Sequence, residues 1–231
     1  LNINKEKIKI GFLSPDFYKA HSITYFIKNL IKDLKQTKFE SYGLSLIEIK
    51  EHDETTEELK NIFDNWCDIG KKTNQETVDI IQNLKIDILI DLAGLWSKNK
   101  IDIFNTRICP LQISWLGFNN STGMKKVDFI LADENTVKDE EKYYSSKIYK
   151  FPRIWNSHCG FENKRYFNDL PFKKNGYLTF GSLNNFMKIN EEVLDVWINI
   201  LKKIKNSKMI LKSSLYVCED VIRKKFEKEG L

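Results

Sequence analysis

Four short segments of this 231-residue chain group small, amide, hydroxyl and charged side chains as a polar-ligand site requires. The first runs from Ser14 to His21, the second from Gly94 to Lys98, the third from Gly117 to Gly123 and the fourth from Ser182 to Lys188. His21 is the histidine among them. An imidazole there can act as a general base or hold a sugar hydroxyl or a phosphate. It can equally make only a structural hydrogen bond at the start of a helix. Asp16 either orients His21 or turns back on its own backbone, and the turn is the better reading. Lys188 follows the amides Asn184 and Asn185 and stands just ahead of a helix. A positive charge beside helix N-terminal N–H groups suits a diphosphate, although the same lysine alone reads as solvated. Gly117 and Gly123 lack side chains, so the segment between them, with Thr122, lets backbone approach a ligand closely. Gly94 opens the second segment and joins the same candidate binding set.

Other chemistries are excluded by what these segments lack. No Gly-Lys-Ser/Thr ending marks a P-loop. The loop Leu13 to Asp16 has no glycine, which argues against a dinucleotide fingerprint after the first strand. The chain has three histidines, His21, His52 and His158, too few for a His-rich metal site, and no metal is expected. Its cysteines, Cys67, Cys109, Cys159 and Cys218, do not pair at metal-ligand spacing and read as reduced thiols of a cytoplasmic protein. His158 and Cys159 are adjacent, but no third group orients them as a nucleophilic pair.

The elements that must position these loops follow from periodicity. Apolar runs over 8–13, 39–46, 86–92, 111–116, 127–132 and 147–151 read as strands, with two more over 177–181 and 208–212. Ile23, Phe26, Ile27, Leu30, Ile31 and Leu34 recur at helical spacing behind Ser22 as N-cap. Thr55 with Glu58, and Thr73 with Glu76, read as capping boxes of two further helices, the first running to Trp66. A short helix is expected after Lys98. Val193, Val196, Trp197, Ile200, Leu201 and Ile204 form another stripe, and a last helix holds 221–226 with Gly230 as its C′ residue. Strands alternating with amphipathic helices predict an α/β fold with parallel sheets. In such sheets ligands bind beyond the carboxyl ends of the strands, where the four loops fall.

The polar, irregular stretch 156–176 is the expected linker. It divides one whole Rossmann-like domain, residues 1–170, from the beginning of a second, 171–231. No run approaches the roughly 20 apolar residues of a membrane span. Residues 1–9 hold no signal-peptide core, so the start reads as an internal cut or a processed end. The net charge of +5 comes from lysines interleaved with acids, without an Arg-rich run, and does not call for nucleic acid.

At these loops the chain resembles a known family. Ser14-Pro15-Asp16-Phe17, then His21-Ser22 and Tyr25-Phe26, is similar to the opening motif of bacterial glycosyltransferase family 41 enzymes. Asp91-Leu92-Ala93-Gly94 is similar to their second motif. Pro110 to Phe118, then Thr122-Gly123 and Asp128, is similar to their most recognisable stretch, and Phe180 to Asn185 with Lys188-Ile189 to the start of their donor domain. The family includes O-linked N-acetylglucosamine transferases and SPINDLY-type transferases. The resemblance implies a GT-B architecture with the active site between two Rossmann-like domains. It implies inverting, metal-independent transfer, without a cofactor, from a nucleotide sugar such as UDP-GlcNAc to Ser or Thr hydroxyls of a protein acceptor. His21 falls on a family active-site histidine and Lys188 on the lysine that meets the donor diphosphate, with Asn185 close by. Two departures stand out. Leu95 occupies a position where the family has His or Tyr, and Asn119-Asn120 stand where relatives place Pro-Gly. Further donor contacts of the family lie beyond Leu231, so the 231 residues alone are expected to be inactive. Two alternatives remain: a GT-B transferase with a non-protein acceptor, or a non-catalytic nucleotide- or protein-binding module.

Overall fold

Seven strands, all parallel, form the sheet of the first unit in the order β3-β2-β1-β4-β5-β6-β7. They are β1 (Ile8–Ser14), β2 (Phe39–Ser45), β3 (Asn65–Asp68), β4 (Ile88–Asp91), β5 (Leu111–Ser114), β6 (Phe129–Ala132) and β7 (Lys147–Lys150). The helices are α1 (Ile23–Leu34), α2 (Glu54–Ile62) and α3 (Asn74–Asn83), and a 3₁₀ turn, Ile101–Asn105, serves the crossover from β4 to β5. The computed structural model describes residues 2, 4–19, 21–96, 98–138, 141–160, 169–212 and 216–231. Ala20, Ser97 and residues 161–168 of the expected linker lie outside them. The chain forms two compact units, Leu1–Glu162 and Asn163–Leu231.

The sheet is buried on both faces because successive strand residues point to opposite sides. Ile10 and Phe12 of β1 join Ile23, Ile27 and Ile31 of α1 and Leu59 of α2 in one apolar cluster. Leu13 joins Leu44, Ile81 of α3, Leu89 and Phe104 in the other. Phe12 and Phe104 are fully buried, so truncating either to alanine costs about 3–5 kcal/mol.

The strand order reverses at β1. From there the chain winds outward through β2 and β3, then returns to β4 on the other side and continues to β7. The loops after β1 and β4 therefore diverge from neighbouring strands, which makes the gap between them the topological switch point.

Several local expectations change. β3 escapes the sequence pattern because its four residues, Asn-Trp-Cys-Asp, form a half-buried edge strand too short to alternate visibly. Trp66 belongs to it, not to the preceding helix, and its ring fills the space left by Gly43. α2 is capped by Asp53, whose carboxylate accepts the Thr56 N–H at 3.0 Å, so the box is Asp53/Thr56; Glu58 pairs with Lys28 instead. The Thr73/Glu76 box forms as expected. Ser22 occupies the N-cap of α1 but makes no capping hydrogen bond. β5 stops at Ser114 because Leu116 turns to φ +77°, outside strand geometry.

In the second unit, α4 (Pro171–Asn175) lies inside the stretch read as irregular. Proline at its first position and Gly176 at φ +75° start and stop it. β8 (Thr179–Ser182) pairs in parallel with β9 (Lys208–Leu211), and α5 (Glu191–Lys203) connects them. α5 buries Leu194, Ile198 and Leu201, while Val196 and Ile204 face outward, so the true stripe is rotated from the one expected. α6 (Tyr216–Lys228) closes the chain, and Gly230 follows it at φ +79°.

Candidate functional site

The loop after β1 begins with Ser14, whose hydroxyl accepts the Asp16 N–H at 3.0 Å. This turn belongs to Ser14, and Asp16 does not fold back on its own backbone. Its carboxylate stands 3.9 Å from His21 Nδ1. Burial raises the Asp16 pKa, and the charges of His21 and Lys98 work against that rise. His21 sits at the entry to α1. Its Nδ1 accepts the Ile23 N–H at 3.4 Å, and its carbonyl accepts the Thr24 hydroxyl at 2.9 Å. A lone pair at Nδ1 assigns the ring proton to Nε2. His21 is about a third exposed, so this N–H is available to a ligand oxygen.

The loop after β4 is held from beneath. Asp91, the last residue of β4, is fully buried, and its carboxylate accepts the N–H of Gly94 at 2.7 Å and of Ala93 at 3.2 Å. Ser114 of β5 approaches the same carboxylate at 3.5 Å. Burial drives the Asp91 pKa up to about 6 against these hydrogen bonds, and the Asp16 charge adds to the rise. Beyond the turn, Trp96 is exposed, its indole N–H donating to the Gly117 carbonyl and its ring edge-on to Phe118. Lys98 reaches Glu51 at 3.1 Å.

The loops after β4 and β5 interlock. Any Cβ on Gly117 would strike the carbonyl of Leu92, and any Cβ on Gly94, at φ +59°, would strike Phe118. The missing side chains at Gly94 and Gly117 thus make room for protein, not for a ligand. Gly117 N–H also donates to the Trp115 carbonyl at 3.0 Å across Leu116. With Leu116 at φ +77° this is the rarer, strained form of the three-residue γ-turn. Gly123, at φ +72°, faces open space, and Thr122 beside it is buried with its hydroxyl toward the Met124 N–H.

Two other members of the motif around β5 are structural. Gln112, fully buried, accepts from Ile108 N–H and donates to the carbonyls of Thr106 and Lys126. Asp128 accepts both guanidinium nitrogens of Arg107 and the Gln112 N–H, which ties β5 to β6; the Arg107 charge holds the Asp128 pKa below its usual value.

Sequence reasoning missed a third wall. His158 stacks on Tyr25 of α1 at 5.2 Å and 6° and meets Phe26 edge-on. The Cys159 thiol donates to the Gly160 carbonyl and its N–H to the Tyr25 carbonyl. The pair is built into the flank of α1, not arranged as a nucleophile. Trp115 Nε1 anchors the same segment at the Trp155 carbonyl, 2.9 Å away.

In the second unit, Lys188 ends a 3₁₀ turn, Phe186–Lys188, and is exposed. Among the described residues no side-chain partner engages its ammonium. Asn185 Oδ1 accepts the Met187 N–H at 3.0 Å and Asn184 Oδ1 accepts the Asn185 N–H at 2.8 Å. The N-terminus of α5 is less suited to an anion than its place in the sequence suggests. Asn190 already accepts the Val193 N–H, and Glu191 and Glu192 fill its first turn. Among the described residues no three His, Cys, Asp or Glu side chains are grouped to hold a metal ion, and no helix is long and apolar enough to cross a membrane.

Comparisons with known proteins agree with this arrangement. Residues 1–160 match the family model described as Glycosyl transferase family 41. A curated relative from Arabidopsis thaliana, named probable UDP-N-acetylglucosamine–peptide N-acetylglucosaminyltransferase SPINDLY, is 30% identical over 223 residues, covering 95% of this chain and 24% of its own. A SPINDLY relative from Hordeum vulgare is 28% identical over 94% of this chain and 23% of its own. The Arabidopsis protein named SEC, of the same described activity, is 25% identical over 89% of this chain and 22% of its own. The chain therefore spans about a quarter of the length of these relatives. A solved mutant O-GlcNAc transferase of Thermobaculum terrenum superposes with a TM-score of 0.88 at 24% identity, over 98% of this chain and 43% of that one. The expected fold class, α/β of the GT-B type, is borne out.

Proposed function

Because this chain belongs to glycosyl transferase family 41, we propose that it is part of an enzyme that transfers N-acetylglucosamine from UDP-GlcNAc to Ser or Thr hydroxyls of proteins. In this reading residues 1–170 are the acceptor-side domain and 171–231 open the donor-binding domain, of a cytoplasmic protein. The observation that carries the proposal is the convergence at the β1/β4 switch point of the His21 loop and the loop clamped by Asp91. The names of the relatives support the sugar and the peptide acceptor.

The chemistry is a single displacement with inversion. The acceptor oxygen attacks the anomeric carbon as the bond to the diphosphate breaks, and the hydroxyl proton passes to a diphosphate oxygen. His21, through Nε2–H, donates a hydrogen bond to a sugar or phosphate oxygen. Acting as a base at Nε2 would require the proton on Nδ1, facing Asp16. Lys188, flanked by the amides of Asn184 and Asn185, balances the diphosphate charge, so no metal or cofactor is required. In this reading Thr122 and Gly123 belong to the acceptor side, while Gly94 and Gly117 hold the loops in register.

The test is turnover by the full-length protein with UDP-GlcNAc and cytosolic protein acceptors, in chelator, with the product anomer read by NMR. β-Linked sugar on Ser or Thr is the expected result. Transfer only to a glycan or small molecule, or nucleotide binding without turnover, would reject the protein-transferase reading in favour of one of the two alternatives.

A further inference from the structure

Asp91 is buried to 2% exposure, so its carboxylate does not meet a substrate, yet it is the fixed point of the loop after β4. Two backbone N–H groups of the Ala93–Gly94 turn end on it. That turn cannot relax sideways, since Gly94 abuts Phe118 and the Leu92 carbonyl abuts Gly117. The Leu92 N–H, between Asp91 and the turn, donates to the Leu13 carbonyl at the end of β1 at 3.0 Å; Ser14, the next residue, accepts the Asp16 N–H, and Asp16 faces His21 Nδ1 at 3.9 Å. These contacts connect the end of β4, through the end of β1, to the loop that carries the imidazole.

We propose that Asp91 is a positioning residue for the transfer reaction, its ionised carboxylate holding the Ala93–Gly94 turn and, with it, the junction of β4 and β1 from which the Asp16–His21 loop departs. The assignment rests on the transferase reading. A carboxylate offers acceptors to both N–H groups and to Ser114. A carboxylic acid accepts more weakly, above all at its hydroxyl oxygen, and so holds these donors less firmly. Of the groups turned toward Asp91, β1 contributes the charge of Asp16 and β5 the hydroxyl of Ser114. With the carboxyl titrating at about 6, the loop is held above that pH and released below it.

The experiment is the pH profile of kcat for the full-length enzyme, with peptide acceptor and saturating UDP-GlcNAc, for wild type, Asp91→Asn and Ser114→Ala. The wild type should lose about tenfold in kcat per pH unit below about 6. Asp91→Asn should lower kcat about tenfold at pH 7.5 and abolish the acid limb. Ser114→Ala, a mild change that removes one donor to the carboxylate, should move the limb to higher pH without a comparable loss at pH 7.5. It keeps the proposal testable if Asp91→Asn does not fold. An acid limb that survives Asp91→Asn, or that ignores Ser114→Ala, belongs to another group such as His21 and overturns the assignment. Absence of wild-type turnover instead sinks the transferase reading and the assignment with it, an outcome distinct from an active enzyme whose limb does not move.

Discussion

The α-carbon of Gly117 lies so close to the carbonyl oxygen of Leu92 that no side chain fits between them. The contact locks the loop after β5 onto the loop after β4. Gly117→Ala should therefore destabilise the protein by about 1–3 kcal/mol, equivalent to a fall in Tm of roughly 2–4 °C per kcal/mol for a chain of this size. Thermal unfolding followed by circular dichroism measures it. A Tm within about 1 °C of wild type would mean that the loops are not interlocked.

Two substitutions at His21 separate holding from proton abstraction. His21→Ala should lower kcat of the full-length enzyme by roughly 10²–10⁴-fold. His21→Gln retains a donor near the position of Nε2 but cannot take up a proton at neutral pH. If the imidazole donates a hydrogen bond, Gln recovers part of the loss. Equal losses in the two variants would assign the ring as a base, and normal turnover in Ala would remove His21 from the site.

Lys188→Ala should weaken UDP binding by about tenfold or more, the expected scale for losing one charge-assisted hydrogen bond. Lys188→Arg should recover part of it. Isothermal titration of the full-length protein gives the constants, and an unchanged Kd in the alanine variant would count against contact with the diphosphate.

Stability should depend on pH in a direction set by Asp91. Its folded pKa, about 6, lies above the ordinary aspartate value of 3.8, so the folded state binds the proton more tightly than the unfolded one. The stabilising contribution of the protonated form is complete below about pH 4 and is lost as pH rises through about 6. The difference is on the order of 3 kcal/mol. Asp16, raised in the same direction by burial, adds to the trend. Denaturant unfolding from pH 4.5 to 7.5 should show wild type losing ground to Asp91→Asn with rising pH; parallel curves would show that Asp91 does not titrate in this range.

Much of this arrangement is legible in the residues. The helical stripe from Ile23 to Leu34 and the apolar runs of β1, β2 and β4 predict buried elements because their periodicity survives burial on both faces. Three of the four polar loops then fall at the carboxyl ends of the strands of one parallel sheet, and the fourth follows β8 in the second unit. What escapes notice depends on contacts distant in sequence. β3 is four residues long and exists because β2 offers it a partner. The roles of Gly94 and Gly117 look like room for a ligand until Phe118 and Leu92 occupy that room. Asp91 reads as a motif residue, and its function as a buried anchor emerges only with the N–H groups of Ala93 and Gly94 folded back on it. His158 lacks an orienting partner in the sequence, and only the folded chain shows its ring claimed by Tyr25 and Phe26.

Seven strands running the same way leave the sheet with one working edge and one idle edge. The turn that brings the chain from α3 back to β4 lies on the idle edge, with Lys85 exposed there at φ +55°. That backbone conformation suits a loop tip, and the turn is separated from His21 and Gly94 by the length of the strands. A fluorophore or an inserted epitope at Lys85 would give the molecule a handle for surface attachment or single-molecule work while leaving the loops after β1 and β4, at the opposite ends of the strands, unaltered.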